Sequence, residues 1–93
     1  MYRPLPPMLT IRNSGIEGLG LFATQWIEKS TNLGLCHFYW GEQLMRTPLG
    51  GFINHSEDPN CEKVQKDSRF FLVTLRDIHV DEEITLKYTF YKL

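Results

Sequence analysis

Phe52-Ile53-Asn54-His55-Ser56-Glu57-Asp58-Pro59-Asn60-Cys61 is the stretch that decides the fold of this 93-residue chain. Two apolar residues lead directly into an asparagine and a histidine, and Asp-Pro-Asn then favours a type I turn. Polar side chains in that setting cost free energy in a small domain unless they are hydrogen-bonded. Taken alone, the stretch favours a structural loop over a site that binds the amine, carboxylate or adenine edge of a ligand.

Short β-strands are predicted on both sides of this stretch. The strongest candidate covers 69–75, where five consecutive residues are apolar, β-branched or both. The segment 41–51 is predicted as a connector, and 52–60 as polar and turn-like. We find no amphipathic helix of useful length, so a mainly β fold is expected. The other predicted strands are 8–12, 21–23, 31–35 with a possible continuation over 36–40, and 84–88.

The composition limits the classes of protein to consider. The length allows one domain, with an extended proline-rich arm over 1–8 and the folded domain over 9–93. A net charge of −1 does not indicate a nucleic-acid binder. We see neither a signal peptide nor a membrane-spanning segment. Cys36 and Cys61 are too few for a disulfide scaffold or a zinc cluster, which favours reduced thiols, no metal and an intracellular, cytoplasmic location.

Two further motifs are weak individually. Gly18-Leu19-Gly20 is compatible with a simple bend between strands, and it is not a dinucleotide fingerprint because a strand follows it instead of a helix. Asp81-Glu82-Glu83 is compatible with an acidic turn before the last strand. Alternation places Ile84, Leu86 and Tyr88 on one face of that strand, where a tyrosine usually serves packing.

Taken together and in this order, the three motifs resemble the SET domain, the catalytic fold of a family of protein-lysine methyltransferases. The segment from Gly18 to Ala23 is similar to the opening glycine motif of that family, and the stretch from Phe52 to Cys61 is similar to its central asparagine-histidine signature. The segments 75–78 and 82–88 are similar to its closing part. The resemblance covers residues 9 to 91.

The resemblance implies a SET-domain fold of several short curved sheets, with a pseudoknot-like C-terminal crossing. It implies that S-adenosylmethionine binds on one face, while the lysine of a protein substrate enters a narrow channel from the opposite face. It also makes Tyr88 the catalytic tyrosine. The implied cofactor-binding positions are Glu17, Gly18, Leu19, Gly20, Asn54 and His55. The implied positions of the lysine channel are Leu86, Phe90 and Tyr91.

Several positions depart from the common family pattern. Glu57 stands where a cysteine is frequent, Gly51 where an arginine is common, and Leu86 where an aromatic residue is usual. No cysteine-rich tail follows the closing motif, and the interval between Gly20 and Asn54 is much shorter than in most members. The compact format is similar to the minimal SET proteins of viruses, whose methyltransferases act in a host cell, and of bacteria.

Three functions compete at this point. A methyltransferase is favoured because Asn54, His55 and Tyr88 are all retained. A catalytically inactive SET-like module that binds a peptide would not need the cofactor signature, and an unrelated β interaction domain would require coincidence. We expect a protein substrate with an exposed lysine, and a homodimer that covers Trp26 and the aromatic run 38–40. The acidic residues of 57–62 and 81–83 are interpreted as solvated turns.

Overall fold

The computed structural model describes residues 5–87, which form one curled sheet with a single short helix. Hairpins connect β1 to β2, β3 to β4 and β6 to β7, and the sheet curls into a half-barrel. The mainly β prediction is confirmed. In chain order the elements are β1 (Leu9–Asn13), β2 (Leu19–Ala23), β3 (Asn32–Trp40), β4 (Gln43–Arg46), α1 (Pro48–Gly51), β5 (Asn54–His55), β6 (Cys61–Lys66), β7 (Arg69–Thr74) and β8 (Glu83–Leu86).

Strand β8 is central to the topology, although it is the last strand within residues 5–87. The strand order is β1-β2-β8-β6-β7-β3-β4, and β5 pairs with β8 outside this path. β8 runs antiparallel to β2 but parallel to β5 and β6. Its residues Ile84, Thr85 and Leu86 are all buried, so both of its faces are covered. The closing strand therefore lies beside the Asn54-His55 segment, as the predicted crossing requires.

Asn60 fastens this arrangement through its side chain. Its Oδ1 accepts a hydrogen bond from the backbone N–H of Thr85 at 2.8 Å, and its Nδ2 donates to the carbonyl oxygen of Glu83 at 2.7 Å. The amide therefore pairs with β8 much as a strand backbone would. Asn60 is only 2% exposed, and these bonds satisfy the polar group that its burial would otherwise leave without partners.

The structure differs from the sequence prediction on both sides of the central stretch. The expected connector 41–51 contains β4 and α1, and β3 runs unbroken to Trp40. A two-residue turn with Gly41 at φ 63° joins β3 to β4, which is a conformation that glycine adopts without strain. β6 was not predicted because its sequence is mostly polar; its pairing with β7 along its whole length accounts for its formation.

Candidate functional site

The turn between β1 and β2 forms one wall of the candidate site. Its ends are joined by the hydrogen bond from the N–H of Ser14 to the carbonyl oxygen of Gly18, at 2.8 Å. Gly18 has φ 49°, a left-handed conformation that favours glycine. Inside the turn, the hydroxyl of Ser14 accepts a hydrogen bond from the N–H of Ile16 at 2.9 Å. Gly18 therefore closes a solvent-facing turn, and Leu19 and Gly20 begin β2 directly after it.

Asn54 reaches from β5 to this turn. Its Nδ2 lies 3.1 Å from the carbonyl oxygen of Glu17, 3.2 Å from that of Leu19, and 2.9 Å from Oε2 of Glu83. An amide nitrogen carries only two hydrogens, so three acceptors compete for them. We call this group of Glu17 O, Leu19 O and the Glu83 carboxylate the acceptor corner. The structure thus brings together Glu17, Leu19 and Asn54, three of the predicted positions.

Glu83 is a member of the site that the sequence analysis missed. Its carboxylate accepts hydrogen bonds from the hydroxyl of Ser14 at 2.8 Å and from Asn54. Gly20 makes room for it: a Cβ at position 20 would collide with the carboxylate and would lie 3.1 Å from Nδ2 of Asn54. Any side chain at position 20 would therefore force the carboxylate of Glu83 to move. Glu83 belongs to the stretch that we interpreted as an acidic turn, and only the pairing of β8 with its neighbours places it in the site.

His55 lies apart from the acceptor corner. Its Nε2 is 3.3 Å from Oε1 of Glu57, whose other oxygen is 3.4 Å from Nζ of Lys87. Hydrogen bonds from His55 and Lys87, together with the charge of Lys87, hold the pKa of Glu57 below its usual value. Adjacent strand residues point to opposite faces, which explains why Asn54 and His55 separate.

A cavity of about 270 Å³ opens on the other face of the β5–β8 pair. Asn54 is paired with Thr85, so the neighbouring residues Ile53 and Leu86 face away from the acceptor corner and line this cavity. We call it the basic cavity because cationic side chains line it as well. Its lining consists of His37, Arg46, Gly50, Gly51, Ile53, Lys63 and Leu86.

The charges that line the basic cavity affect the pKa of a buried histidine beside them. His37 is 2% exposed. Burial first, and then the charges of Lys63 and Arg46, lower its pKa to about 4. Burial also lowers the pKa of Lys63. His37 is therefore neutral near pH 7, and the positive charge of the lining comes from Arg46 and Lys63.

The remaining predicted positions fall into two groups. Leu86 lines the basic cavity, and Gly18 and Gly20 flank Leu19 in the hairpin. Tyr88, Phe90 and Tyr91 lie outside the described residues. Within 5–87, no three histidine, cysteine or acidic side chains are grouped as metal ligands would be. The same part of the chain contains no helix with the length and apolarity needed to cross a bilayer.

The fold and the site define a small β domain in which a glycine hairpin and an asparagine from a crossing strand share one corner. The family model of the SET domain matches residues 37–89. The chain belongs to the SET domain family.

Relatives and solved structures agree with this assignment. Two fungal proteins named histone-lysine N-methyltransferase, H3 lysine-4 specific, from Emericella nidulans and Aspergillus oryzae, are each 45% identical over 49 residues. The match covers 48% of this chain and 4% of each relative. A crystal structure of a candidate histone methyltransferase from Plasmodium falciparum has a TM-score of 0.73 at 21% identity, covering 95% of this chain and 100% of that one. The methyltransferase domain of human PR domain-containing protein 2 has a TM-score of 0.73 at 16% identity, covering 96% and 82%.

Proposed function

We propose that this chain is an S-adenosylmethionine-dependent methyltransferase that acts on the side-chain amine of a lysine in a protein substrate. The observation that carries the proposal is the acceptor corner, in which the carbonyl oxygens of Glu17 and Leu19 and the carboxylate of Glu83 surround Nδ2 of Asn54. The membership of the chain in the SET domain family supports the same activity. The histone-lysine methyltransferases that it resembles suggest an intracellular protein as substrate.

The acceptor corner fits one end of the proposed cofactor. Two carbonyl oxygens and a carboxylate converge within hydrogen-bond distance of a single amide nitrogen. Such a concentration of acceptors suits an ammonium group, which carries three donors. Leu19 and Ile16 are about half exposed beside it and offer apolar surface to the rest of a ligand. In this proposal Asn54 orients the amine and Glu83 complements its charge.

The basic cavity fits the substrate side of the reaction. A free lysine has a pKa of about 10.4, and only its neutral form is nucleophilic. Arg46 and Lys63 in the lining disfavour a second ammonium group nearby, which favours the neutral amine. The cofactor supplies an activated methyl group, so the main task of the protein is alignment of the reacting atoms. Tyr88, two positions after Leu86, is the proposed catalytic hydroxyl.

The cofactor part of the proposal is tested by calorimetry with S-adenosylmethionine in the presence of a chelator. We expect binding without metal, and Asn54→Ala should weaken it by about 1–3 kcal/mol because polar groups of the ligand lose their partner. Asn32→Ala is the matched control, since it removes a side-chain hydrogen bond to the N–H of Gly34 at 2.9 Å, outside the acceptor corner. No binding by the parent protein at millimolar cofactor would contradict the proposal.

The catalytic part is tested by Tyr88→Phe. If the hydroxyl acts in the transition state, turnover should fall strongly while cofactor affinity and the unfolding temperature stay close to those of the parent. Equal activity of the two proteins would refute this role. Mass spectrometry of a lysate incubated with labelled cofactor identifies the substrate. A parent protein that binds cofactor and lysine peptides but transfers no methyl group would be the inactive peptide-binding module.

A further inference from the structure

We infer that the basic cavity selects substrates in which an acidic side chain lies close in sequence to the target lysine, and that Arg46 is the residue that recognises it. This inference rests on the proposed function and names the class of substrate for the same site. It assigns a specificity-determining residue that none of the three motifs contains.

The position of the basic cavity determines which residues the substrate meets. It shares the β5–β8 pair with the acceptor corner but lies on the opposite face, because Ile53 and Leu86 alternate with Asn54 and Thr85. A substrate that meets the cofactor across this pair must approach through the cavity side. The residues lining the basic cavity therefore contact the substrate next to the reacting lysine.

The charged side chains that line the basic cavity are all cationic within residues 5–87. Arg46 and Lys63 line the basic cavity, and no carboxylate belongs to its lining within residues 5–87. The two positive charges also contribute to the lowered pKa of the buried His37, so they act across the cavity. A substrate lysine in its usual cationic form is repelled there. A carboxylate close to the lysine on the substrate is attracted by Arg46 and Lys63, which offsets the repulsion of the lysine and favours association of the substrate with the cavity.

Arg46 is the more accessible of the two cations in the basic cavity. It is exposed at the end of β4, and its guanidinium has no ion-pair partner in the part of the chain that the structure describes. A guanidinium presents a planar fork that matches a carboxylate with two parallel hydrogen bonds. The Nζ atom of Lys63 is buried, so Arg46 is the cation that an incoming side chain meets first.

The dimensions set the spacing between the two substrate residues. A cavity of 270 Å³ is about 8 Å across if it is roughly spherical, and an extended peptide advances about 3.3 Å per residue. The acidic residue is therefore expected about one to three positions from the lysine.

The test uses fluorescent peptides of nine residues, each with one lysine and with Glu, Gln or Arg at each position within three residues of it. Binding is measured by anisotropy in saturating S-adenosylhomocysteine, and methyl transfer is measured in parallel as kcat/KM. We expect the best Glu peptide to bind about five- to tenfold more tightly than its Gln counterpart, and the Arg peptide to bind more weakly. Raising the salt concentration should shrink this preference.

Charge reversal identifies the residue. Arg46→Glu should invert the preference for Glu peptides over Arg peptides. Arg46→Gln should abolish this preference, and it replaces Arg46→Glu in the test if that variant folds poorly. Arg69→Glu is the matched control. Arg69 is exposed on the same sheet, but it pairs with Phe38, whereas Arg46 pairs with His37, so the two arginines point to opposite faces. Arg69→Glu should keep the preference of the parent protein.

The outcomes separate this inference from the proposed function. Equal binding of Glu and Gln peptides by the parent protein, or equal effects of Arg46→Glu and Arg69→Glu, would overturn the acidic-substrate inference even if methyl transfer proceeds. Absence of both cofactor binding and transfer would refute the proposed function, and the inference would fall with it.

Discussion

Replacing Gly20 with alanine places a methyl group where the carboxylate of Glu83 lies. The new Cβ would be 3.0 Å from Cδ of Glu83 and closer still to one of its oxygens, so the carboxylate must move. That carboxylate accepts hydrogen bonds from Ser14 at 2.8 Å and from Asn54 at 2.9 Å. The substitution therefore disturbs the whole acceptor corner through a single contact.

The size of the effect follows from those hydrogen bonds. A hydrogen bond to a charged group contributes about 1.5–3 kcal/mol, so weakening the two contacts of Glu83 should lower the free energy of unfolding by about 2 kcal/mol. In a domain of this length about 1 kcal/mol corresponds to 4–8 °C in Tm. Thermal unfolding of Gly20→Ala should therefore show a Tm lower by roughly 8–16 °C.

A double-mutant cycle with Glu83→Ala tests the cause. Without the carboxylate, the methyl group at position 20 meets much less, so Gly20→Ala should cost little in the Glu83→Ala background. We expect a coupling free energy of about 1–2 kcal/mol. Gly15→Ala is the control in the same hairpin, because a Cβ there has no atom within 4 Å, and it should be neutral or slightly stabilising. Simple additivity of the two substitutions would show that the collision with Glu83 is not the cause.

Four other predictions follow from particular side chains. Burial lowers the pKa of His37 to about 4 in the folded protein, so as the pH drops from about 6.5 towards 4 the unfolded chain binds a proton before the folded protein does. The free energy of unfolding should therefore fall by up to about 3 kcal/mol over this range. His37→Gln should flatten this dependence of stability on pH in thermal unfolding. Burial raises the pKa of Cys61 to about 12 and that of Cys36 above its usual value, so a thiol reagent at pH 8 should label both only on unfolding, and rapid labelling of the folded protein would contradict this. Leu86 offers no hydroxyl to anchor a water molecule, which leaves space in the proposed lysine channel for a methylated amine to turn. We therefore expect more than one methyl group per lysine, and Leu86→Tyr should shift the products towards monomethyl-lysine in mass spectrometry. A parent protein that makes only monomethyl-lysine would disprove the argument. Trp40 is 75% exposed, and we expect a homodimer to cover it. Light scattering should therefore give a dimeric mass that Trp40→Asp lowers. A monomeric mass at protein concentrations where the enzyme is fully active would rule the dimer out.

The parts of the fold that were predicted correctly are those whose signal is local. The apolar run of β7 and the glycines of Gly18-Leu19-Gly20 lie within short windows, so β7 and β2 were found from the sequence. β4 has only four residues and β6 is mostly polar, and both are strands because β3 and β7 supply their hydrogen-bond partners. A mostly polar segment does not reveal such a partner in its own sequence.

The candidate site also contains residues that local sequence patterns do not reveal, because these residues are far apart in the chain. Asn54 and the glycine hairpin were identified through a motif resemblance, and hydrogen bonds to Glu17 and Leu19 join Asn54 to this hairpin in the structure. Glu83 joins them from a position 69 residues away from Ser14. Its role depends on the register of β8 against β2, which no local pattern encodes. The grouping of Arg46 with Lys63 likewise depends on the curl of the sheet.

The two faces of the β5–β8 pair differ in the charge that they favour. One face gathers two carbonyl oxygens and the Glu83 carboxylate around Asn54, while the other exposes Arg46 and Lys63 to the basic cavity. In the proposed reaction the methyl donor is a cation and the acceptor must be a neutral amine. An electronegative cofactor side attracts the first, and an electropositive substrate side disfavours protonation of the second. Because strand residues alternate between faces, the β5–β8 pair separates these two environments, while Arg46 and Lys63 reach the basic cavity from β4 and β6.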